Sequence, residues 1–302
     1  MRRRLASGAE EKVIDREEHP GFFLCEAEDD MGVAMVLTQE WDERLQEELQ
    51  SRSVDVLRLS DSMGWGGGSI EFLRSLTQIR GVEVYDWAVR DVRVLEELTQ
   101  LEEIALEVNC SHNVDFGVLP KLRILKVRWC DGFFSSLKCE TLEYLNVGNF
   151  PAESFADCEL PRMGRLWVSS RKLTSLAGLE RCRVLDRLSL YQCTSLASLA
   201  DIKEHPRLRV ASFYACKRIS DLEALASCDH LERLIIENCG SIPSLTQLAE
   251  LDRLTHLVIG GDTKIEDGDL RFATKMKSLK EFRFKNRRHY SHSYKELRDA
   301  IA

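Results

Sequence analysis

No C-x-x-C pair occurs in the chain, although it holds ten cysteines among 302 residues. That absence removes the usual zinc-knuckle and dithiol redox motifs, and a chain of this length does not need a disulfide framework to build a core. No apolar run approaches the roughly 18 residues of a membrane-spanning helix. The start, Met1 to Gly8, is basic but passes straight into Glu10 and Glu11. It lacks the apolar stretch of about 7–15 residues that a secretory signal needs, so a cytoplasmic protein is expected. Neither G-x-S-x-G, H-E-x-x-H nor a phosphate-binding G-x-x-x-x-G-K-[ST] is present. Positive charge is also in deficit: 42 Lys and Arg against 50 Asp and Glu, a net charge of −8. A general nucleic-acid binder would carry a broad basic field, which this balance excludes. With 44% hydrophobic and 30% charged residues, the chain can fill a core and is not disordered by composition.

What the sequence does have is a period. Leu185-x-x-Leu188-x-Leu190-x-x-Cys193 aligns with Leu208-x-x-Ala211-x-Phe213-x-x-Cys216 and Leu231-x-x-Leu234-x-Ile236-x-x-Cys239. A fourth copy runs Leu254-x-x-Leu257-x-Ile259-x-x-Asp262, so the opening leucines at 185, 208, 231 and 254 are 23 residues apart. Weaker copies open at Val54, Ile79, Leu101, Leu122, Leu142 and Met163, and a last one at Leu279. In each, the central alternation is a strand period rather than a helical one. Alternate side chains point one way, so each copy offers one short strand with its leucines inward. The return path of about 15 residues leaves room only for 3₁₀ or single-turn helices. No copy can bury its leucines alone, so stability must run along the array.

The pattern resembles the leucine-rich repeat, L-x-x-L-x-L-x-x-N/C, in its cysteine-containing and short internalin-like forms as found in bacterial proteins. The resemblance implies an α/β leucine-rich repeat solenoid, with a curved parallel β-sheet on the concave side and 3₁₀ or short helices on the convex side. About eleven repeats are expected over 54–302, including a C-terminal cap. Residues 1–53 are expected to hold a charged tail, through residue 16, and an N-terminal cap. Within that cap, residues 21–38 carry a hairpin signal, and a helix is predicted from Thr38 to about Arg52, with Trp41, Leu45 and Leu49 on one face.

Cys130, Cys193, Cys216 and Cys239 share one turn of the repeat, and Cys139, Cys182 and Cys228 lie three residues before an opening leucine. They read as small buried residues bonded weakly to turn backbone, not as a metal ladder. Cys25 and Cys110 are the two that the sequence leaves room to be reactive.

With the opening leucine as position 1, positions 3, 5, 7 and 8 are expected to leave the concave face. Six of the eleven Trp and Tyr fall on those 44 positions: Tyr85, Trp129, Tyr144, Trp167, Tyr191 and Tyr214. That is several times their share by chance, beyond the ordinary liking of strands for aromatics. Arg128, Arg165, Arg187 and Arg233 lie among them, and Glu83 and Glu107 mark an acidic end over the first coils. Rigid rings and arginine are the usual anchors of protein interfaces. The expected function is a protein–protein interaction module without enzymatic activity, cofactor or metal. An immunity-type protein that blocks a cognate toxin is its sharper form. The competing expectation is a nucleotide- or phosphate-dependent switch or enzyme. It would use the Gly64–Ser69 turn, or His289 and His292 in the Arg287–His292 tail.

Overall fold

A computed structural model describes residues 20–112, 114–130, 137–203 and 205–301. The charged segment 1–16 lies outside the described residues. The chain forms two compact units, Met1–Thr141 and Leu142–Ala302.

The first unit opens with the hairpin read from the sequence, β1 (Phe22–Glu26) and β2 (Val33–Leu37), paired antiparallel. Asp29 and Asp30 turn it with two successive left-handed residues, as tight hairpin turns require. Helix α1 (Glu43–Ser51) follows and buries Leu45 and Leu49. It starts later than Thr38 because Asp42 is its N-cap, its side chain accepting from Leu45 N at 2.9 Å. Trp41 therefore precedes the helix, and its ring stacks on Phe72 with centroids 4.6 Å apart. Strands β3 (Val56–Ser60), β4 (Gly81–Tyr85), β5 (Glu103–Glu107) and β6 (Ile124–Arg128) continue in parallel from β2. The returns carry 3₁₀ turns at Glu71–Ser75, Arg93–Glu97 and Phe116–Val118.

In the second unit β7 (Tyr144–Gly148), β8 (Arg165–Ser169), β9 (Arg187–Tyr191) and β10 (Val210–Tyr214) pair in parallel. A single-turn helix, α2 (Glu223–Ala226), precedes β11 (Arg233–Glu237). A two-residue ladder joins β12 (Ser241–Ile242) to β14 (Lys264–Ile265), while β13 (His256–Gly260) and β15 (Glu281–Phe284) complete the main sheet. From β3 onward, every main strand begins at position 3 of its repeat, and all but β15 run to position 7. The inward residues at positions 4 and 6 stack in register: Leu188 beside Leu166 and Ala211, Leu190 beside Val168 and Phe213, all buried.

Position 8 behaves differently from the expectation. Asn149, Gln192, Ala215, Asn238 and Gly261 occupy it with φ of 57°, 52°, 56°, 52° and 61°. They form a left-handed corner that ends β7, β9, β10, β11 and β13, not part of the strand face. At Gly261 a Cβ would run into the Asn238 side-chain oxygen, which accepts from Asp262 N at 3.2 Å.

One residue beyond this corner sit Cys193, Cys216 and Cys239, each buried. Their Sγ atoms approach Val168 O at 3.7 Å, Leu190 O at 3.5 Å and Phe213 O at 3.5 Å, each on the preceding coil. Weak S–H donation to turn backbone is thus their structural use. Cys25 and Cys110 are also buried, while Cys130 is half-buried.

The C-terminal coil is closed by its own tail. Tyr290 Oη accepts from Ile265 N at 2.9 Å, His289 Nε2 pairs with Ile265 O at 2.9 Å, and Ser291 Oγ accepts from Leu270 N at 2.9 Å. Phe284 meets Tyr290 and Tyr294 edge-on. Helix α3 (Tyr294–Ile301) then buries Leu297. Ser293 and Glu296 form a reciprocal capping box at its start, with contacts of 2.8 to 3.3 Å.

Candidate partner-binding surface

Seven of the sequence-selected residues come together on the open strand face of the second unit: Tyr144, Arg165, Trp167, Arg187, Tyr191, Tyr214 and Arg233. Trp167 stacks on Tyr191 with centroids 5.8 Å apart, and Tyr191 meets Tyr214 at 6.4 Å. The three rings form a slab across β8, β9 and β10. Position 5 of β9 and β10 is Ser189 and Ser212, and such small side chains let the neighbouring rings lean over the sheet. Ser212 is buried beneath them, and the Tyr214 hydroxyl is held above its usual pKa by burial first and by the Glu237 charge second. Tyr191 keeps 40% of its surface exposed. Arg165 lies over the Tyr144 ring at 4.6 Å, a cation–π contact that fixes the guanidinium while leaving it solvated. Arg187 and Arg233 are exposed.

The first unit carries the other five, and its strand face is mostly covered. Glu83, expected at an exposed acidic end, is only 2% exposed. Its carboxylate forks onto the equally buried Arg58, with contacts of 2.6 Å and 3.1 Å, and also accepts from Tyr85 Oη at 3.2 Å. Burial would lower the Arg58 pKa, but the Glu83 charge and hydrogen bonds win and raise it. Glu103 is buried too, 2.9 Å from Lys126 Nζ. The same ammonium meets Asp29 at 2.7 Å and Glu28 at 3.0 Å, both in the β1–β2 turn. That turn is part of the cover. Burial pushes the Glu103 carboxyl up to about 7 against the pull of Lys126. Lys126 is held above its ordinary value because the carboxylates outweigh its own burial. Asp86 is buried and accepts from Ala88 N at 2.7 Å. The acidic end is therefore an internal ion network, and Glu83 has no surface left to offer a partner. Glu107 is half-buried, and Arg128 is exposed, lying over the Trp87 ring at 5.2 Å. Trp129, at position 8, lies one residue past β6 and is half-buried.

Trp87, 46% exposed, escaped the repeat count because it follows β4 outside the tallied positions. The buried pairs left a signal that could have been read: Val56, Gly81, Ala105 and Ile124 sit at outward positions 3 and 5 of β3 to β6. Apolar residues there foretell a covered face.

At both alternative sites some of the named residues have other roles in the structure. Trp65, inside the glycine turn, is buried, and the next 3₁₀ segment, Glu71–Ser75, is too short to gather an anion at its start. His289 and Ser291 are engaged with backbone of the preceding coil, as described. Among the described residues no group of three or more His, Cys, Asp or Glu is placed to hold a metal ion. No described helix is long and apolar enough to cross a membrane.

No family model matches the sequence, and no curated protein matches it. Among solved structures, an internalin (InlF) from Listeria monocytogenes strain 4b F2365 is 17% identical, with TM-score 0.45, over 78% of this chain and 81% of its own. Internalin C2 of the same strain is 18% identical, with TM-score 0.41, over 70% and 84%. The functional domain of InlJ from Listeria monocytogenes, described as including a cysteine ladder, is 13% identical with TM-score 0.50. That match covers 88% of this chain and 57% of the InlJ domain. At such identities the likeness concerns the fold. With eleven strands in repeat register, the chain has the leucine-rich repeat fold, of the short-repeat kind seen in internalins.

Proposed function

We propose that the chain is a protein-binding module that performs no chemistry of its own and receives a partner protein on the open strand face of residues 142–302. The observation that carries this reading is the slab of Trp167, Tyr191 and Tyr214 on the open face, with Tyr191 exposed, the other two rings half-buried and exposed arginines beside them. Rings already stacked lose little freedom on binding and still present area to desolvate. The resemblance to internalins supports a repeat scaffold of this use. Neutralising a cognate toxin or effector by occlusion is the sharper form of the proposal. The proposed setting is the cytoplasm, where buried repeat cysteines such as Cys193, Cys216 and Cys239 would stay reduced.

The test uses the full chain and its Trp167→Ala/Tyr191→Ala variant as baits in a lysate of the source organism. A protein held by the parent and at least about tenfold weaker on the variant, with unchanged circular dichroism, is the expected result. Equal capture by the variant would move the partner off this face. For the sharper form, co-expression with the captured protein should relieve its toxicity.

A further inference from the structure

Charge is spread unevenly along the chain, and its two caps carry opposite sign. Between residues 271 and 298, ten Lys and Arg stand against two acids, in a chain of net charge −8. Arg271, Arg283 and Arg298 are paired with Asp269, Glu281 and Asp299. Glu296, the other acid, is spent on Ser293 at the start of α3. That leaves Lys275, Lys277, Lys280, Lys285, Arg288 and Lys295, all exposed. They lie on the last coil and on α3, which packs against β15 and the 3₁₀ turn Arg271–Lys275. Isolated surface cations occur on other coils too; particular to this one is that so many have so few acids among them. One coil back, Glu250 and Asp252 stand at the counterpart positions of Lys275 and Lys277 without pairing with them. Lys280, Lys285, Arg288 and Lys295 are therefore the clearest excess. Residues 20–52 are the reverse, with nine acids against Arg44 and Arg52 and no lysine. Arg52 pairs with Glu48 and Arg44 with Asp42, while Glu28 and Asp29 meet Lys126. Glu40, Glu43 and Glu47 remain, exposed and in no ion pair. Glu43 and Glu47 are one turn apart on α1, on the side away from buried Leu45 and Leu49. The segment before them, residues 1–19, is balanced at five Lys and Arg and five acids. Opposite charges already tie coil to coil within the chain. At repeat position 2, Arg80 lies 3.4 Å from Asp55 and 2.9 Å from Glu102, and Arg209 lies 2.8 Å from Glu232. That row ends on Lys280, and no further coil follows to supply a carboxylate.

We infer that a second copy of this chain supplies it: Lys280, Lys285 and Lys295 of one copy dock on Glu40, Glu43 and Glu47 of another. This association is separate from the proposed partner binding and does not depend on it. Two unlike surfaces pair heterologously, each cap with the opposite cap of another copy, because like caps repel. Lysine suits such a contact, since its ammonium is a point charge on a flexible stem and needs no fixed fork geometry. An extended polyanion or an anionic lipid surface would also have to accept the acidic remainder of the chain, whereas a second copy brings its own complement. Contacts between exposed charges are individually weak, so the association is weak, concentration-dependent and screened by salt. Trp167, Tyr191 and Tyr214 are not among the paired residues.

The test is sedimentation equilibrium of the full chain, in a dilution series reaching about 1 mM, at about 10 mM and about 1 M salt, where charges are felt over about 30 Å and about 3 Å. The weight-average mass should rise above that of the monomer with concentration at low salt and return to it at high salt. Lys280→Glu/Lys285→Glu/Lys295→Glu and Glu40→Lys/Glu43→Lys/Glu47→Lys should each weaken self-association at least about tenfold. A mixture of the two variants should recover it, because the reversed caps are again complementary. Lys172→Glu/Lys203→Glu/Lys217→Glu, the same change of net charge on other coils, should leave it nearly unchanged, as should Trp167→Ala/Tyr191→Ala. The milder Lys280→Gln/Lys285→Gln/Lys295→Gln serves if charge reversal disturbs the circular dichroism spectrum. A chain that stays monomeric at low salt overturns the inference; poly(U) or phosphatidylserine vesicles bound by that monomer would give the basic coil to nucleic acid or lipid instead. Equal weakening by the control triple variant, or a mixture of the reversed variants that stays monomeric, overturns the pairing of caps. Association lost only on the aromatic substitutions overturns it as well and puts the self-contact on the open face.

Discussion

Arg58 on β3 and Trp167 on β8 occupy the same position of their repeats, yet one is 2% exposed and the other only half-buried. In the first unit the strand face is closed over by side chains and by the hairpin turn, and its charges pair with one another. In the second the equivalent positions carry rings and arginines that stay open. The lesson is that repeat register fixes the direction of a side chain but not its surroundings. A charge sealed under a cover stabilises only through its partner, whereas a charge on an open face is free to meet something else.

The sharpest way to break this contrast is Arg58→Ala. It strands the Glu83 carboxylate in a dry site and should cost about 3–5 kcal/mol in denaturant melts. Replacing both members, Arg58→Met with Glu83→Leu, should recover most of the loss. Arg187→Ala on the open face should stay within about 0.5 kcal/mol. A similar cost for both single substitutions would erase the distinction between the two faces.

Next in size is Leu188→Ala. Its side chain is fully buried between neighbouring coils, so lost transfer energy and the cavity should together cost about 2–5 kcal/mol. A loss below about 1 kcal/mol would contradict the inward register of β9.

Acidification should then act with opposite sign on the two units. Glu103 binds its proton more tightly folded than unfolded, near 7 against an ordinary 4.5. Its contribution therefore makes the first unit more stable as pH falls from about 7 towards 4.5. His205 in the second unit is buried, and burial first of all holds its pKa below the ordinary 6.5. The unfolded chain takes up that proton first, so the second unit loses stability as pH drops below about 6.5. Hydrogen exchange followed across this range should show protection rising in one unit and falling in the other. Glu103→Gln and His205→Phe should flatten the respective trends.

The smallest effect sharpens the picture of the slab. A double-mutant cycle on Trp167 and Tyr191 should give a coupling of about 0.5–1.5 kcal/mol from ring stacking. Zero coupling would mean that the rings are not preassembled.

All eleven repeat strands were legible in the sequence because the alternation at positions 4 and 6 reports a requirement every coil must meet: burial of Leu188, Leu190 and their counterparts. The aromatic–arginine cluster of the second unit was legible for the same reason, since residues between inward leucines have only one other way to point. Glu83 was misread as surface. Its partner Arg58 lies 25 residues away, and the cover over both comes from tertiary packing that a strand period does not encode. Position 8 was misread because a left-handed corner and a strand end look alike when the residue is Gln192 or Ala215. Trp129 was counted with the strand face although β6 ends one residue before it, and α1 began late because a single cap, Asp42, overrode a favourable helical face.

The constant 23-residue spacing of the coils opening at 185, 208, 231 and 254 has a consequence for ancestry as much as for packing. Because each residue finds its counterpart at the same height on the next strand, duplication or excision of one whole coil leaves every surviving neighbour contact of the same type. Such a scaffold can lengthen or shorten its recognition surface in whole rungs by unequal recombination, and each added rung arrives with an outward row that selection can rewrite.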